Sequence, residues 1–417
     1  MDIWRVRGGN RLEGACFVQG SKNASLPILA ASIVCPTKTE LMNVPQLNDV
    51  DAALRILRHL GCKAEQRGSD VYIDSHSIDG GAIPRKLMEE MRSSVMFMGA
   101  LLARCGEARL SLPGGCQLGK RPIDIHLAGL RALGAHIEED GGEIYCRAER
   151  LVGTELELPF PSVGATENIM LAACRAKGTT VILGAAREPE IVALQDYLLA
   201  LGAEVSGAGS SVITIEGFHP KKAVAFRILP DRIAASTLLC AAAACGGDIT
   251  LIGVDYRHFY PLQLFLNASG CDIMHSMGSV RLRSDGDLRA VERVSTAPYP
   301  GFPTDAQPLL MAALLKAKGT SIFEENIFSS RYRHTRELVK LGADIELSGR
   351  TATVKGVSKL HGAKVRSTDL RGGAALVIAG LAADGRTLIT DHGHISRGYE
   401  GLDYKLRSLG ADIYTEK

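Results

Sequence analysis

Lys22, Arg92, Asp305 and Arg371 stand at related places in the chain, each 37 to 42 residues before a glycine in a recurring phrase. Asp231-Arg232 takes the same place in a further segment, and Gly164, within Ser162-Val163-Gly164-Ala165-Thr166, in another. All six places open an Ala/Leu-rich stretch predicted to be helical. The N-terminus of a helix offers free N–H groups and partial positive charge. Lysine and arginine added there make an anion site, suited to phosphate or carboxylate. One such residue alone reads equally well as a cap or surface charge. Their repeat-equivalent placement favours function.

A second constellation lies in the run Leu112-Pro113-Gly114-Gly115-Cys116-Gln117-Leu118-Gly119-Lys120-Arg121-Pro122-Ile123-Asp124-Ile125-His126. Its three glycines predict a mobile loop. Lys120 and Arg121 follow Cys116, and nearby cations favour the thiolate. Cys116 is thus a candidate nucleophile or general acid, the bland alternative being an inert exposed thiol. Cys105, Cys174 and Cys240 lie in apolar stretches and read as small core residues. The ten cysteines contain no CxxC or CxxH pair, so a zinc site is not expected. The loop is neither a P-loop nor a Rossmann fingerprint.

The elements that must position these residues repeat six times. The phrase is Leu60-Gly61-Cys62, Leu133-Gly134-Ala135, Leu201-Gly202-Ala203, Ser269-Gly270-Cys271, Leu341-Gly342-Ala343 and Leu409-Gly410-Ala411. Successive glycines are 73, 68, 68, 72 and 68 residues apart, too long for a solenoid repeat. Each unit opens with one of the helical stretches at 26–35, 95–105, 168–176, 233–245, 308–316 and 374–383. A β-branched run such as 179–182 or 320–323 follows. Then comes an amphipathic helix, for example 191–201 or 333–341, capped by the repeated glycine, and a hairpin such as 204–206 with 212–215. The unit reads βαβαββ, an α/β fold whose helices need a common interior. The sixth unit stops before its last strand, and 3–7 is a spare strand at the N-terminus. The expected domains are therefore 21–229, carrying the Cys116 loop, and 1–20 with 230–417, closed by the N-terminal strand.

Composition narrows the class. The 417 residues are 46% hydrophobic and 23% charged, ordinary for a globular protein of two or three domains. With 48 basic and 46 acidic residues the net charge is +2, so no bulk field marks a nucleic-acid binder. One Trp, ten Tyr and ten Phe show no stacking platform for single strands. Apolar runs such as 238–245 fall far short of the ~20 residues of a membrane span, and the first residues do not read as a signal peptide. A soluble, cytoplasmic protein with reduced thiols is expected.

At these residues the sequence resembles, over essentially the whole chain, the enolpyruvyl transferases that act on UDP-N-acetylglucosamine. The motifs are Gly20-Ser21-Lys22-Asn23-Ala24, the 113–126 loop, 161–169, Ala186-Arg187-Glu188-Pro189-Glu190, Pro303-Thr304-Asp305, Asp369-Leu370-Arg371 and Arg397-Gly398-Tyr399-Glu400. The resemblance implies a two-domain inside-out α/β barrel with three repeated units per domain. It implies transfer of the enolpyruvyl group of phosphoenolpyruvate to the 3-hydroxyl of UDP-N-acetylglucosamine, with release of phosphate, early in peptidoglycan synthesis. That in turn implies roles in cell-wall biogenesis, cell shape and division, and sensitivity to fosfomycin. Lys22, Arg121 and Arg397 would hold phosphoenolpyruvate, and Arg92 and Arg371 would add charge. Asn23 would contact the sugar, and Asp305 would act on its hydroxyl as base or orienting carboxylate. Cys116 would protonate the methylene carbon. Arg121, Pro122, Ile123, Asp124, Ile125, Ser162, Val163, Gly164 and Ile327 would bind the nucleotide sugar, while Asp369 and Glu190 orient neighbours. No metal or organic cofactor is implied, and the partners are small molecules, not nucleic acid or membrane.

The sequence departs from the family pattern at Ser21, at Ser329-Ser330 and at Gly372-Gly373, and the last pair is expected to loosen the helix carrying Arg371. Two other readings stand beside the main one. A 5-enolpyruvylshikimate-3-phosphate synthase-like enzyme shares the repeated fold but lacks the cysteine-bearing loop. A non-catalytic nucleotide-sugar-binding paralogue would not need Lys22, Cys116, Asp305, Arg371 and Arg397 together.

Overall fold

The computed structural model describes residues 1–78, 80–111, 123–218 and 222–416. These form two compact units, one from Met1–Gln19 with Pro230–Lys417 and the other from the chain between Gly20 and Leu229. Each is built on three helices whose sides are buried almost all round. Lys22–Ala31, Phe97–Cys105 and Val163–Ala173 serve one unit, and Arg232–Cys245, Gln307–Ala313 and Leu370–Ala382 the other. A helix apolar on every side is stable only inside a core, and alanine and glycine let these helices approach closely. A Cβ at Gly99 would run into Asn168 of the neighbouring helix.

Sheets surround the helices. Among the described residues, the unit containing the N-terminus has three four-stranded sheets, and the other has two of four strands and one of three. Strands such as Thr179–Leu183 bury alternate residues, the mark of a sheet with one face on the core. The strand Asp2–Arg7 runs antiparallel between Arg386–Asp391 and Asp412–Glu416, with Trp4 opposite Ile389 on one side and Thr415 on the other. It fills the place that Thr351–Lys355 fills in the preceding unit, between Thr320–Glu324 and Asp344–Ser348. Leu12–Phe17 then pairs parallel with Gly247–Ile252.

The six repeated glycines have a common physical cause. Gly61, Gly134, Gly202, Gly270, Gly342 and Gly410 all adopt φ between 92° and 105°, the left-handed conformation in which a helix ends most cheaply with glycine.

Helix boundaries differ from expectation at the N-terminal ends. The apolar stretches at 26–35, 168–176 and 374–383 begin as Lys22–Ala31, Val163–Ala173 and Leu370–Ala382. Ser21, Ser162 and Asp369 cap these helices through their side chains, so polar residues are carried inside the first turn. The stretch at 333–341 is a short 3-10 turn, Arg331–His334, followed by Thr335–Val339.

Gly372-Gly373 do not loosen their helix. A Cβ at Gly372 would lie 2.7 Å from Asp369 Oδ2 and 2.9 Å from His334 Cβ, and one at Gly373 2.7 Å from Ile395 Cγ1. The glycines allow close packing beneath Arg371. Gly372→Ala should therefore destabilise the protein by about 1–3 kcal/mol through overpacking, although alanine is the better helix former by about 1 kcal/mol. Urea melts would show it, and a stabilised variant would contradict the close packing.

Candidate active site

In the unit containing the N-terminus, the predicted residues Asp305, Ile327, Asp369 and Arg371 belong to one connected network. Asp305 lies in the turn before Gln307–Ala313. Its Oδ1 accepts from Arg331 Nη2, and its Oδ2 accepts from Arg371 Nε at 3.0 Å. Both guanidiniums are almost wholly buried, whereas Asp305 keeps 29% of its side chain exposed. The carboxylate is thus gripped by two buried guanidiniums while remaining partly exposed.

Each arm of the clamp is held in turn. Arg331 Nε donates to Thr304 Oγ1 at 3.1 Å, and that hydroxyl donates to Glu325. Glu325 Oε1 also accepts from the backbone N–H groups of Ile327 and Phe328, both at 2.9 Å. The loop bearing Ile327 and the carboxylate of Asp305 therefore share one scaffold. Asp369 caps its helix by accepting from the N–H groups of Arg371 and Gly372 at 3.1 Å. The Tyr399 ring lies 5.2 Å from the Arg371 guanidinium. Burial disfavours the Arg371 charge, yet Tyr399, Asp305 and Asp231 together raise its pKa. Nη1 of Arg371 is buried with no hydrogen-bond partner among the described residues. A buried charged N–H in that condition is costly unless something accepts from it. Arg397 ends a separate 3-10 turn, Ile395–Arg397.

In the other unit, Lys22 begins Lys22–Ala31 and donates from Nζ to the buried carboxylate of Asp49 at 3.2 Å. Asn23 is half-buried beside it. Ser162, Val163 and Gly164 form the N-terminus of Val163–Ala173, with Ser162 Oγ accepting from Ala165 N at 3.4 Å. Ile123 is buried ahead of Asp124–Ala132, Asp124 is exposed and Ile125 half-buried. Arg92 opens the 3-10 turn Arg92–Met96. Glu190 is buried in the first turn of Pro189–Leu201, near Glu167. Burial, aided by Glu190 and Glu188, raises the pKa of Glu167 well above the usual range. Cys116, Arg121 and Pro122 lie outside the described residues.

Two site residues escaped sequence reasoning. Nothing in the sequence pattern singles out Arg331, and only its burial reveals that it grips Asp305. His126 ends the run that carries Cys116, and its position in the sequence suggests no role. Asn168 Oδ1 accepts from Gly99 N at 2.6 Å, so its Nδ2 is the atom that donates to Val95 O and to His126 Nδ1. His126 Nδ1 is therefore an acceptor, and the ring proton sits on Nε2. A Cβ on Gly164 would lie 3.4 Å from that nitrogen. That edge of the ring therefore lies beside the N-terminus of Val163–Ala173, and the charge of Arg92 acts on the same ring.

Burial and then the charge of Arg92 push the His126 pKa down to about 4, and burial does the same to His334. Unfolding would return both to about 6.5. The unfolded chain then binds more protons between those values, and stability falls as pH drops from about 6.5 to about 4. For His126 the loss should be on the order of 2 kcal/mol by about pH 4.5, and His334 adds a loss of the same sign. His126→Gln should flatten this dependence in denaturant melts, and an unchanged slope would rule out His126 as a contributor.

One expectation about cysteine fails. Cys105 is exposed at the end of its helix, not a core residue. Cys174 and Cys240 are fully buried. Burial raises the pKa of all nine described thiols. Among the described residues no group of three or more His, Cys, Asp or Glu could hold a metal ion.

Known proteins match this architecture. The family model described as EPSP synthase (3-phosphoshikimate 1-carboxyvinyltransferase) matches residues 6–406. UDP-N-acetylglucosamine 1-carboxyvinyltransferase 2 of Caldanaerobacter subterraneus subsp. tengcongensis is 48% identical over 413 residues, 99% of each chain. UDP-N-acetylglucosamine 1-carboxyvinyltransferase of Geotalea uraniireducens is 45% identical, again over 99% of each. The crystal structure of the enolpyruvyl transferase NikO from Streptomyces tendae superposes with a TM-score of 0.90 at 26% identity, covering 99% of this chain and 98% of that one. EPSP synthase from Acinetobacter baumannii shares the fold, with a TM-score of 0.76 at 19% identity over the full length of both. Helices inside sheets, six repeats and full-length identity near one half agree: the chain belongs to the UDP-N-acetylglucosamine 1-carboxyvinyltransferase family of enolpyruvyl transferases.

Proposed function

We propose that the protein transfers the enolpyruvyl group of phosphoenolpyruvate to the 3-hydroxyl of UDP-N-acetylglucosamine and releases phosphate. The observation that carries this reading is the Asp305 carboxylate, clamped between the buried guanidiniums of Arg331 and Arg371 and still partly exposed. A carboxylate so fixed can accept a proton from a sugar hydroxyl or orient it, without swinging away.

Phosphoenolpyruvate carries several negative charges, which Lys22, Arg92, Arg121, Arg371 and Arg397 together offset. The unpartnered Nη1 of Arg371 supports its share in this. Asn23 contacts the sugar. Ser162, Val163 and Gly164 offer a capped helix N-terminus to the nucleotide diphosphate, helped by the Nε2 proton of His126, and Arg121, Pro122, Ile123, Asp124, Ile125 and Ile327 complete the nucleotide-sugar site. The sugar 3-oxygen bonds to the central carbon of phosphoenolpyruvate while Cys116 delivers a proton to the methylene carbon, giving a phosphate-bearing tetrahedral adduct. Loss of a proton from the new methyl group and departure of phosphate then restore the double bond in the product. Asp369 and Glu190 act by positioning.

The reading places the protein in the bacterial cytoplasm, in peptidoglycan synthesis, with consequences for cell shape and division. Among the described residues no helix is long and apolar enough to cross a membrane. The scheme uses no cofactor. Incubation with both substrates should yield a vinyl ether at the 3-oxygen of the sugar nucleotide by NMR, and a different site of transfer, or none, would overturn the reading.

The reading also predicts one reactive thiol. Nine cysteines are held toward the protonated form, so fosfomycin, a phosphonate epoxide, should alkylate Cys116 selectively and faster with UDP-N-acetylglucosamine bound. Peptide mapping decides this. Labelling spread over several cysteines would contradict it.

A further inference from the structure

Arg397 stands on a turn that the sequence motif Arg397-Gly398-Tyr399-Glu400 marks without saying what holds it. Within the turn, the N–H groups of Gly398 and Tyr399 both donate to Ile395 O at 3.1 Å. The Gly398 carbonyl and the Glu400 N–H face the other way, toward Gln19, the last residue of its unit before the chain crosses to the other. Gln19 is 6% exposed. Its Nε2 donates to Gly398 O at 3.1 Å, and its Oε1 accepts from Glu400 N at 2.8 Å and from Lys405 Nζ at 3.4 Å. A single carboxamide thus binds the backbone on both sides of Tyr399, as a neighbouring strand would. The main chain of Gln19 is fixed as well, since its carbonyl accepts from Asp231 N at 2.8 Å.

The turn has two further supports. Gly398 packs so closely on Leu370 that a Cβ would lie 2.6 Å from Leu370 Cδ1. The Tyr399 hydroxyl is 2.9 Å from Thr237 Oγ1 on the buried helix Arg232–Cys245, and its ring lies against Arg371. The Arg397 turn and the Arg371 guanidinium are therefore parts of one assembly, and Gln19 is the part that grips the backbone next to Arg397.

We infer that Gln19 is a positioning residue for Arg397, setting where that guanidinium meets the anionic substrate. The inference rests on the reading of Arg397 as a phosphoenolpyruvate ligand. No charge is needed at position 19 for this role. What is needed is one donor and one acceptor in the correct order.

Gln19→Glu tests the order. It preserves size and the acceptor, and keeps an oxygen for Lys405, but sets oxygen against the Gly398 carbonyl. The charged group it meets is Lys405, on which Glu400, the Cys16 thiol and Asp231 also act. Because the new carboxylate pairs with Lys405, the melting temperature should hold. KM for phosphoenolpyruvate should rise on the order of tenfold, with kcat within about threefold and KM for UDP-N-acetylglucosamine unchanged. Gln19→Ala should raise the same KM, with some loss of melting temperature because it leaves Gly398 O, Glu400 N and Lys405 without the carboxamide. In an Arg397→Ala background, Gln19→Glu should add nothing further, because its effect runs through Arg397. Hydrogen exchange over 397–401 should lose protection in Gln19→Glu. An unchanged KM in both variants, a fully additive effect in the Arg397→Ala background, or unaltered exchange would overturn the inference. A wild-type protein that leaves phosphoenolpyruvate unreacted would overturn the proposed reaction instead, and the exchange measurement would still decide whether Gln19 holds the turn.

Discussion

Arg331→Leu is expected to lower turnover by about a hundredfold or more and stability by roughly 3 kcal/mol. The Arg331 side chain is 1% exposed and has three polar partners among the described residues. It holds Asp305 directly, it donates to Thr304, and its Nη1 lies 3.7 Å from Asp369. Breaking a buried pair usually costs about 3–5 kcal/mol because a charge is left without compensation. Here the cost falls at the low end, since Asp305 keeps its bond to Arg371 and is partly open to water. The rate should suffer more than the fold. With one arm of the clamp gone, the carboxylate can rotate about the other, and a misplacement of an ångström is enough for a loss of this size. Arg331→Lys keeps the charge but not the planar fork that spans Thr304 and Asp305, so it should recover stability better than rate. Melting curves with steady-state kinetics separate the two effects. A variant within tenfold of the normal rate would show that the clamp does not position Asp305.

The second large effect is at Asp305 itself. Asp305→Ala should reduce kcat by roughly 10²–10⁴-fold, while UDP-N-acetylglucosamine still binds, since the nucleotide is proposed to be held by other groups. The substitution also leaves Arg331 and Arg371 as buried cations without their shared carboxylate, so stability should drop too. Asp305→Asn separates these outcomes. It keeps a hydrogen-bond acceptor for one guanidinium and the volume of the side chain, but loses the negative charge. If Asp305 is the base, Asp305→Asn should be nearly as slow as Asp305→Ala; if it only orients the hydroxyl, the asparagine should recover much of the rate. Calorimetry showing lost nucleotide binding with a normal rate at saturation would contradict both roles.

The repeat was legible because its cause is local. A left-handed glycine ends each outer helix, and no other residue type meets that demand cheaply, so six glycines at near-equal spacing reveal six units. The central helices were legible from their Ala/Leu runs, but their starts were not, because Ser21, Ser162 and Asp369 place polar residues within the first turn. The candidate residues Asp305 and Arg371 were legible from their repeat-equivalent positions, and their mutual contact, 66 residues apart, was not. Arg331 carries no repeat signal, and its burial is a tertiary fact. The same holds for Gln19, whose partners are 379 and 381 residues away. Gly372-Gly373 misled in the other direction, since propensity alone reads as looseness where the packing demands a missing side chain.

The central claim is the choice of acceptor, and phosphate release from phosphoenolpyruvate measures it most directly. With saturating phosphoenolpyruvate, UDP-N-acetylglucosamine should give sustained phosphate release and shikimate 3-phosphate none above background. Release with shikimate 3-phosphate, or with neither acceptor, would contradict the account.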